Sequence, residues 1–548
     1  MRTAYTSDQI RAAEAALMAT LPEGALMERA ATGLAVTCAR MLGGVYGSRV
    51  VLLVGSGDNG GDALYAGARL AARGARVDAL LAGTRVHAAG LEALRRAGGR
   101  VTVVRGDSGP ATGPGGGSGP ATGGPGGGSG SATGPRGDSG PVPATAPEGS
   151  REKAEATGAR VRGLLDAAGL IVDGMVGIGG TGALREPYAT LARLANDAPG
   201  EVVAVDVPSG VDASSGRVEG PAVLADATVT FGAWKVGLLV DPGSGHAGRT
   251  ELVDIGLGPH LSDPDAAALT DADVAALLPR PDASSDKYRR GVVGIAAGSE
   301  RYTGAAVLAV GGALRAGVGM VRYAGAAEPV AQVRARWPEA VITTLAPGEG
   351  VEKVGRVQAW VLGPGLGTGD EARAIARSVL SSEVPVLVDA DALTLAAQDG
   401  SLLRRGAPVL ITPHAGELSR LIGVPRERIE ARRLENARRA AAELGVTVLL
   451  KGSTTLVVED ERPVRINTTG SPWLATGGTG DVLAGLAGAL LAAGLSGYDA
   501  ASCAAYLHGI AAQEGPLTAW DVAEALPEAV RFLVDGPRHG GSPAKLGE

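Results

Sequence analysis

The sequence of 548 residues contains only two cysteines, Cys38 and Cys503, and they lie far apart. Two distant cysteines cannot build the disulfide framework of a small secreted domain. Aromatic residues are also scarce, at 3%, but hydrophobic residues reach 45%, which is enough for a globular core and excludes a wholly disordered chain. At about 100–200 residues per domain, the length indicates at least two domains.

Features of exported, membrane-bound and nucleic-acid-binding proteins are lacking as well. The first residues include Asp8 and Glu14 and have no apolar signal core. The most apolar run, residues 482–495, is short and broken by glycine, so it predicts a buried helix and not a membrane span. The net charge of −7 gives no basic surface for nucleic acid. We therefore expect a cytoplasmic protein with no membrane or nucleic-acid partner.

Lysine is rare, with six residues among the 51 basic ones, the rest being arginine. In such a chain a lysine beside a motif is a stronger functional signal than usual. Lys235 and Lys451 each follow a predicted strand, where the ligand sites of parallel α/β sheets lie.

One segment departs from the rest in composition. Residues 106–149 consist largely of Gly, Pro, Ser, Thr and Ala, with the near-repeat SGPATGPGGGSGPATGGPGGGSG. Such a segment cannot bury enough apolar surface to offset the entropy of ordering it. We expect a disordered surface insertion between a strand at 100–104 and a helix at 152–168.

Elsewhere short β-branched runs alternate with Ala- and Arg-rich helical stretches, and the pattern restarts after residues 258–271. This alternation predicts two α/β units with parallel sheets covered by helices on both faces. Ligand sites are then expected at the carboxyl ends of the strands. The predicted strands are residues 50–54, 77–82, 170–172 and 202–207, followed by 292–297, 320–323, 359–362, 386–388, 409–411, 446–450 and 455–458.

The first glycine motif is GSGDNGGD at residues 55–62, which follows a strand and matches G-x-G-x-x-G. Taken alone this is a weak nucleotide-binding signal. Capping of the next helix by Asp58 or Asn59 would explain one polar residue, but it leaves the acidic cluster unexplained. The cluster favours a ligand site.

Further polar residues follow other strands of the first half. Asn59, Asp173 and Ser209 offer oxygen ligands only, which suits a hard cation such as K⁺ and not zinc. Asp206 and Lys235 form a titratable pair that is available for proton transfer. The alternative for Lys235 is an ordinary solvated surface lysine.

The strongest signal lies in the second half, where Gly477-Gly478-Thr479-Gly480 precedes the buried helix. Its exposed N–H groups predict a cradle for a transferring phosphoryl group, and Asp481 can accept the proton of the hydroxyl that is phosphorylated. The alternative is a simple helix cap. Residues 451–455 (KGSTT) could hold a nucleotide phosphate, and His414 is a weaker candidate for substrate contact.

The first half resembles the NAD(P)H-hydrate epimerase family, through LMERAA, GSGDNGGD, DGMVGIGGTG, DVPSGVD, FGAWKVG and VDIGLG. The resemblance implies a Rossmann-like three-layer fold over residues 1–262, with K⁺ held by Asn59, Asp173 and Ser209. It also implies catalysis by Asp206 with Lys235. The implied substrate contacts are Asp58, Asn59, Gly60, Gly61, Asp62, Gly177, Ile178, Gly179, Gly180, Thr181, Gly182, Ala183 and Asp206.

The second half, residues 268–538, resembles NAD(P)H-hydrate dehydratases of the ribokinase-like superfamily, through YTGAA, GPGLG, VDADAL, TPHAGEL and ATGGTGDVLAG. The resemblance implies ADP as phosphoryl donor with Mg²⁺, and Asp481 as catalytic base. It implies substrate contacts from Ala305, Gly365, His414 and Asp481. The implied nucleotide contacts are Lys451, Gly452, Ser453, Thr454, Thr455 and Gly480.

Together the two resemblances imply a bifunctional enzyme that repairs NADHX and NADPHX, the hydrated forms of NADH and NADPH. The first half would interconvert the R and S epimers, and the second would dehydrate the S form while ADP becomes AMP and phosphate. A homo-oligomer is expected. The alternative is a ribokinase-like vitamin-precursor kinase fused to a non-catalytic nucleotide-binding module. Because the two motif sets share no residue, the sites are expected to act separately.

Overall fold

The computed structural model describes residues 1–104 and 148–536. The predicted insertion at 106–149 therefore lies almost entirely outside the described residues. Within the two described stretches, no helix has both the length and the apolar character needed to cross a membrane.

The first half forms a seven-stranded sheet with helices on both faces. Its neighbouring strands are all parallel. The strands of this half are β1 (Arg2–Tyr5), β2 (Arg49–Val54), β3 (Arg76–Leu81), β4 (Arg100–Val103), β5 (Leu170–Gly174), β6 (Glu201–Val205), β7 (Ala227–Phe231), β8 (Trp234–Lys235) and β9 (Arg249–Val253). The helices are α1 (Ser7–Met18), α2 (Ala25–Met41), α3 (Asp58–Ala72), α4 (Ala88–Arg96), α5 (Glu148–Asp166), α6 (Tyr188–Asn196) and α7 (Ser244–Ala247).

The order of strands in this sheet is β4-β3-β2-β5-β6-β7-β9. The chain thus starts in the middle, runs outward to one edge, and then returns to fill the other side, as in Rossmann-like folds. Such a reversal leaves a crevice between the two central strands, at their carboxyl ends. The central strands are β2 and β5, so the crevice is flanked by the glycine motif after β2 and by Asp173 near the end of β5.

The second half forms most of a twelve-stranded sheet. Its strands are β10 (Ala266–Ala268), β11 (Val292–Ala296), β12 (Met320–Gly325), β13 (Val341–Thr344), β14 (Ala359–Leu362), β15 (Val386–Val388), β16 (Val409–Ile411), β17 (Thr447–Leu450), β18 (Thr455–Val458) and β19 (Val464–Asn467). Its helices are α8 (Asp271–Leu277), α9 (Thr303–Arg315), α10 (Ala327–Arg336), α11 (Asp370–Leu380), α12 (Asp391–Gln398), α13 (Ala415–Ile422), α14 (Arg426–Ala431), α15 (Arg433–Leu444), α16 (Thr479–Ala492), α17 (Gly497–Ile510) and α18 (Ala519–Asp535).

The order of this sheet is β13-β12-β11-β14-β15-β16-β17-β18-β19-β10-β1-β8. The strands from β13 to β17 are parallel, and β17, β18 and β19 continue as antiparallel neighbours. Separate hydrophobic cores cover its two faces. The predicted α/β/α layers are confirmed, and the seven-stranded sheet is parallel as predicted, whereas the twelve-stranded sheet is mixed.

Glycine allows α16 to pack closely against α9. A Cβ atom on Gly485 would lie 1.9 Å from the carbonyl oxygen of Ala309, and one on Gly312 would lie 2.3 Å from the carbonyl oxygen of Val482. Both distances are far below contact distance, so only glycine fits at these crossings. The close packing fixes the helix that begins at the GGTG motif.

The two halves are joined through the larger sheet. β1, from the start of the chain, pairs with β10, and β8, which carries Lys235, pairs with β1. Val236 and Val240, just after β8, are buried in the same hydrophobic core as the second half. A segment that directly follows the predicted catalytic lysine of the first half is thus part of the core of the second.

Candidate active sites

Asp206 and Lys235 form a buried ion pair at the carboxyl end of the seven-stranded sheet. The Lys235 Nζ atom lies 2.5 Å from Asp206 Oδ1 and also donates to the carbonyl oxygen of Phe231 at 2.7 Å. The same Asp206 oxygen accepts from Thr230 Oγ1 at 3.2 Å and from the Phe231 amide at 3.1 Å. Lys235 is 1% exposed, so it is not a solvated surface lysine.

The backbone at Asp206 has a φ of +67°, which is unusual for a residue with a side chain. Residues held in this left-handed region cluster at functional sites, where the surrounding structure compensates for the strain. Three donors, from Thr230, Phe231 and Lys235, fix the carboxylate of Asp206 in place. The geometry therefore suits a proton-transfer group of defined orientation.

Asp173 and Ser209 are in direct contact, as the predicted cation site requires. The Ser209 hydroxyl donates to Asp173 Oδ1 at 2.7 Å, and the Ser209 amide donates to Oδ2 at 2.8 Å. The Met175 amide makes a third bond to this carboxylate at 3.2 Å. Burial raises the pKa of Asp173 to about 6, although these hydrogen bonds lower it.

Asn59 lies beside this pair. Its Nδ2 atom donates to the Val205 carbonyl oxygen at 2.5 Å, and its Oδ1 atom has no hydrogen bond within the described part of the chain. A Cβ atom on Gly177 would lie 2.2 Å from that oxygen, so the first glycine of the GIGGTG loop is required for their approach. The atoms available to bind a cation are all oxygen atoms. The Asp173 carboxylate has about four acceptor positions, so it can bind a cation in addition to the three hydrogen bonds that it accepts. The set fits a hard cation such as K⁺.

The glycine motif after β2 is mainly a device for close packing. A Cβ atom on Gly55 would lie 1.8 Å from the Met175 carbonyl oxygen, and one on Gly60 would lie 2.5 Å from the Gly55 carbonyl oxygen. Gly57, and not Asp58 or Asn59, is the N-cap of α3, and no side chain caps this helix. The capping interpretation of Asp58 and Asn59 is therefore wrong for this structure.

Two acidic residues extend the site. Asp62 is 6% exposed, and its Oδ1 atom has no hydrogen-bond partner among the described residues. Burial, followed by the charges of Asp206, Asp58 and Glu14, raises the pKa of Asp62 well above its usual value. Burial also raises the pKa of Glu14, against the opposing charge of Lys235. Glu14 was not predicted as a site residue, because it lies on α1, outside every motif.

Part of the predicted substrate loop borders a cavity of about 290 Å³. Residues 180–183 line it, together with Tyr188 and the basic side chains of Arg185 and Arg217. Arg11 donates to the Ile178 carbonyl oxygen at 3.2 Å and lies beside Gly179. The loop at 177–183 is thus flanked by cations that motif analysis did not identify, since isolated arginines are common in this chain.

In the second half, Asp481 lies in the first turn of α16, three residues after the N-cap Gly478, whose φ is +91°. The first turn of a helix leaves N–H groups without helical partners, so the GGTG segment presents donors beside this carboxylate. Among the described residues Asp481 has no side-chain hydrogen bond. Burial and then the charge of Asp389 raise its pKa to about 7, although Lys451 lowers it.

Lys451 lies next to Asp481 but is paired elsewhere. Its Nζ atom contacts Asp389 Oδ1 at 2.8 Å and Glu417 Oε2 at 3.7 Å. A Cβ atom on Gly480 would lie 3.7 Å from this Nζ atom, so the lysine faces the helix start. Burial alone would lower the pKa of Lys451, but the two carboxylates outweigh it and raise the pKa.

His414 has a structural role in this site. Its Nδ1 atom accepts from the amides of Gly416 and Glu417 at 3.0 and 3.2 Å, and Glu417 Oε2 accepts from the His414 amide at 2.8 Å. This is a capping box at the start of α13. Because Nδ1 accepts two bonds, the ring proton is on Nε2, and the half-exposed imidazole can still donate to a ligand.

A second histidine supports the phosphoryl cradle. The Nε2 atom of His508 lies 2.9 Å from the Thr479 carbonyl oxygen. Burial lowers the pKa of His508 to about 4, so the ring is neutral at pH 7 and donates from Nε2. His508 was not predicted as a site residue, since it lies inside α17, away from any glycine motif.

Ala305 and Gly365 are brought together by the fold. Gly365 has a φ of +58°, and a Cβ atom there would lie 2.7 Å from the Ala305 Cβ atom. The next turn of this loop is held by Asp391, whose Oδ2 accepts from the Gly367 amide at 2.8 Å. The GPGLG loop and the start of α9 thus form one wall.

The predicted nucleotide loop, residues 451–455, is contacted from both halves of the chain. Ser453 and Thr454 bind Asp241 of the first half. Arg433, which is 7% exposed, donates to the carbonyl oxygens of Lys451 and Thr454 at 3.0 and 3.2 Å. The two motif sets share no residue, as expected, but the sites are not structurally separate.

Comparison with known proteins gives matches across both halves. The family model of NAD(P)H-hydrate dehydratase matches residues 293–530, and the model of the YjeF-related protein N-terminus matches residues 23–111 and 142–237. The chain is 43% identical over 511 residues to the bifunctional NAD(P)H-hydrate repair enzyme Nnr of Mycobacterium tuberculosis, which covers 92% of each chain. The enzyme of the same name from Mycobacterium leprae is 43% identical over 521 residues, covering 93% of this chain and 94% of that one.

Among solved structures, the chain is similar to the ADP/ATP-dependent NAD(P)H-hydrate dehydratase of Bacillus subtilis, which was co-crystallised with ATP and Mg²⁺. The identity is 30% and the TM-score is 0.45, and the match covers 49% of this chain and 99% of that one.

Proposed function

Since the chain belongs to the bifunctional NAD(P)H-hydrate repair enzyme family, we infer that its two candidate sites carry two successive steps. The site at Asp206 and Lys235 epimerises the R and S hydrates of NADH and NADPH. The site at Asp481 dehydrates the S form. The first step supplies the epimer that the second consumes.

For the first step we assign proton transfer to Asp206, with Lys235 as its partner. The hydrated ring carries a hydroxyl at C6, on a carbon bonded to the ring nitrogen. Its configuration inverts when a bond to that carbon breaks and forms again, and this requires a proton to leave the hydroxyl and return. A carboxylate fixed by three donors, one of them an ammonium group, is suited to hold and release that proton.

Asn59, Asp173 and Ser209 would hold K⁺ at the crevice between β2 and β5. A bound K⁺ would supply a fixed positive charge next to a cluster that is otherwise acidic. Asp62, with its unpartnered oxygen, is placed to accept a hydrogen bond from a hydroxyl of the substrate. The cavity beside residues 180–183 offers Arg185 and Arg217 to its phosphate groups.

For the second step we assign Asp481 as the base. The C6 hydroxyl oxygen attacks the terminal phosphorus of ADP, the bond from that phosphorus to AMP breaks, and Asp481 accepts the hydroxyl proton. Phosphate then leaves C6 while C5 loses a proton, which restores the ring double bond. The GGTG amides stabilise the transferring group, and Mg²⁺ bound with the nucleotide would supply charge neutralisation.

The observation that carries this proposal is the state of Asp481. It is a partly buried carboxylate at a glycine-lined helix start, with a pKa raised to about 7 and no hydrogen-bond donor among the described residues. A structural cap would be hydrogen-bonded to the helix amides. A free carboxylate beside an anion cradle is what a general base for phosphoryl transfer requires.

The test is to supply ADP, Mg²⁺ and mixed hydrate epimers, and to follow recovery of the dihydronicotinamide absorption band together with free phosphate. Full conversion of both epimers with one phosphate per turnover is expected. A stable phosphorylated product without free phosphate would identify a small-molecule kinase instead. Conversion that stops after the S fraction would show that the first half does not epimerise.

A further inference from the structure

The loop at residues 451–455 is held on its two sides by opposite charges. On one side, Arg433 donates to the backbone carbonyl oxygens of Leu450, Lys451 and Thr454. On the other side, the backbone amide of Thr454 and the hydroxyl of Ser453 donate to the Asp241 carboxylate. The carbonyl oxygens of the loop therefore face the Arg433 guanidinium, and its Ser453 hydroxyl and Thr454 amide face the Asp241 carboxylate.

Asp241 both accepts hydrogen bonds from this loop and donates one to it. Its Oδ2 atom accepts from Ser453 Oγ and from the Thr454 amide, the latter at 3.0 Å, and its own amide donates to Thr454 Oγ1 at 3.1 Å. Ser244 binds the other carboxylate oxygen. Partial burial alone would raise the pKa of Asp241, but the bonds from Ser244, Ser453 and Thr454 outweigh it and lower the pKa. The carboxylate is ionised at neutral pH, so these bonds are charge-assisted.

The position of Asp241 is fixed by the second half, although the residue belongs to the first. It follows Lys235 by six residues, and the intervening Val236, Leu239 and Val240 are buried in the core that also contains Leu450 and Leu456, on the strands flanking the loop. A side chain anchored in the core that supports these strands can hold the loop in one conformation. A mobile surface carboxylate could not do so.

We propose that Asp241 is a positioning residue for ADP, acting through the loop at 451–455. This inference rests on the proposed function of the second site. Because Asp241 occupies Ser453 Oγ and the Thr454 amide, those two donors do not contact the phosphates, and the remaining donors of the loop and of the GGTG turn receive them. Holding the loop in advance lowers the entropic cost of binding the nucleotide.

The test uses Asp241→Ala and Asp241→Asn in the full chain, assayed with pure S epimer so that the first site is not needed. Mg-ADP binding is measured by calorimetry, and dehydration is measured at varied ADP. We expect the Kd and KM for ADP to rise about 10- to 100-fold in the alanine variant, since charge-assisted bonds are lost, with kcat changed less than about threefold. The asparagine variant, which keeps one acceptor, should fall between alanine and wild type.

Two further variants separate positioning from general stability. Asp265→Ala removes another carboxylate that binds the second half, through Arg438 at 2.8 Å, but it does not touch the loop, so ADP binding should be unchanged. Ser453→Ala should weaken ADP binding in the wild-type chain and add little in Asp241→Ala, because the two residues act through one contact. If Asp241→Ala does not fold, Asp241→Asn and Ser453→Ala carry the same test.

Unchanged ADP affinity in a folded Asp241 variant would overturn the proposal, and so would tighter binding, which would mean that the carboxylate repels the nucleotide. A loss of kcat with unchanged KM would also overturn it. If the wild-type chain itself does not dehydrate the S epimer with ADP, then the proposed function fails, which is a different result from a variant that matches an active wild type.

Discussion

Both candidate sites contain an aspartate and a lysine at the carboxyl edge of a parallel sheet, but they are paired differently. In the first site Lys235 binds the proposed catalytic Asp206 directly, at 2.5 Å. In the second, Lys451 binds Asp389 at 2.8 Å and leaves Asp481 without a hydrogen bond among the described residues. The same two residue types thus form a closed pair in one site and leave a free base in the other.

The difference in pairing matches the difference in chemistry that we propose. Epimerisation returns the proton that it removes, so a base held next to its cationic partner can take the proton and give it back. Phosphoryl transfer needs a carboxylate that is free to accept a hydroxyl proton, and a raised pKa suits that task near neutral pH. The lysine in the second site acts at a distance and limits the rise in the pKa of Asp481.

The largest expected effect is the loss of dehydration in Asp481→Asn. Asparagine retains the size and the capping ability of aspartate but cannot accept the proton, so turnover of pure S epimer should fall by about 10²–10⁴-fold. The rate of recovery of the dihydronicotinamide band measures it. The matched control is Asp271→Asn, the same change in the first turn of α8, which should keep full activity. Near-wild-type turnover in Asp481→Asn would eliminate Asp481 as the base.

The closed pair of the first site makes Asp206→Asn the informative change there. Asparagine retains an acceptor for Thr230, Phe231 and Lys235 but loses the charge, so epimerisation should slow by about 10²–10³-fold. Asp206→Ala would instead leave Lys235 buried and unpaired, which typically costs about 3–5 kcal/mol of stability. The readout is conversion of a mixed epimer pool with ADP, which should stop once the S fraction is consumed.

Mixing two variants tests whether the sites act separately despite their shared sheet. An Asp481→Asn chain keeps the first site, so a catalytic amount of it should restore full conversion to the Asp206→Asn chain. Dehydration of pure S epimer by Asp206→Asn should equal that of the wild type. If Asp206→Asn slows dehydration of pure S epimer as much as it slows epimerisation, then the two reactions depend on one composite site.

The pH dependence of dehydration is the next effect in size. The carboxyl group of Asp481 has a pKa of about 7, and only its ionised form can accept the hydroxyl proton. The value of kcat/KM for the S epimer should therefore fall about tenfold for each pH unit below about 7. Above it the rate should be level. A profile that stays flat down to about pH 5 would contradict the raised pKa, and the acid limb should be absent from the residual activity of Asp481→Asn.

Much of this comparison was predictable from the sequence, because the residues concerned follow apolar strand runs and glycine turns. The strands at 359–362, 386–388, 409–411 and 455–458 have the predicted bounds, and the predicted pair of Asp206 and Lys235 is in contact. Strand ends of a parallel sheet meet at one edge, so residues far apart in the chain could be assigned to one site.

The contacts between the halves were not predictable. β1 and β8 are four and two residues long, and nothing in RTAY or WK indicates a partner strand. Asp241, Arg433 and His508 lie outside glycine motifs, and their roles come from contacts with residues 18 to 213 positions away. Such non-local contacts depend on the tertiary structure and leave no local pattern in the sequence.

The smallest expected effect concerns stability, and it follows from the unpaired state of Asp481. Its pKa is raised from 3.8 to about 7 in the folded chain, so the native state binds the proton more tightly than the unfolded state. Proton binding by Asp481 therefore stabilises the native state at low pH, and this stabilisation is lost as the pH rises from about 4 to 7. Asp481→Asn removes the cost of burying the charge. Its Tm should exceed that of the wild type by a few degrees at pH 8, and the difference should shrink toward zero near pH 4, where the wild-type carboxyl is protonated. Parallel melting curves at both values measure it, with Asp271→Asn as the control that should show no such gain. An Asn variant that melts lower than the wild type at pH 8 would mean that Asp481 is paired after all, and the contrast with Asp206 would disappear.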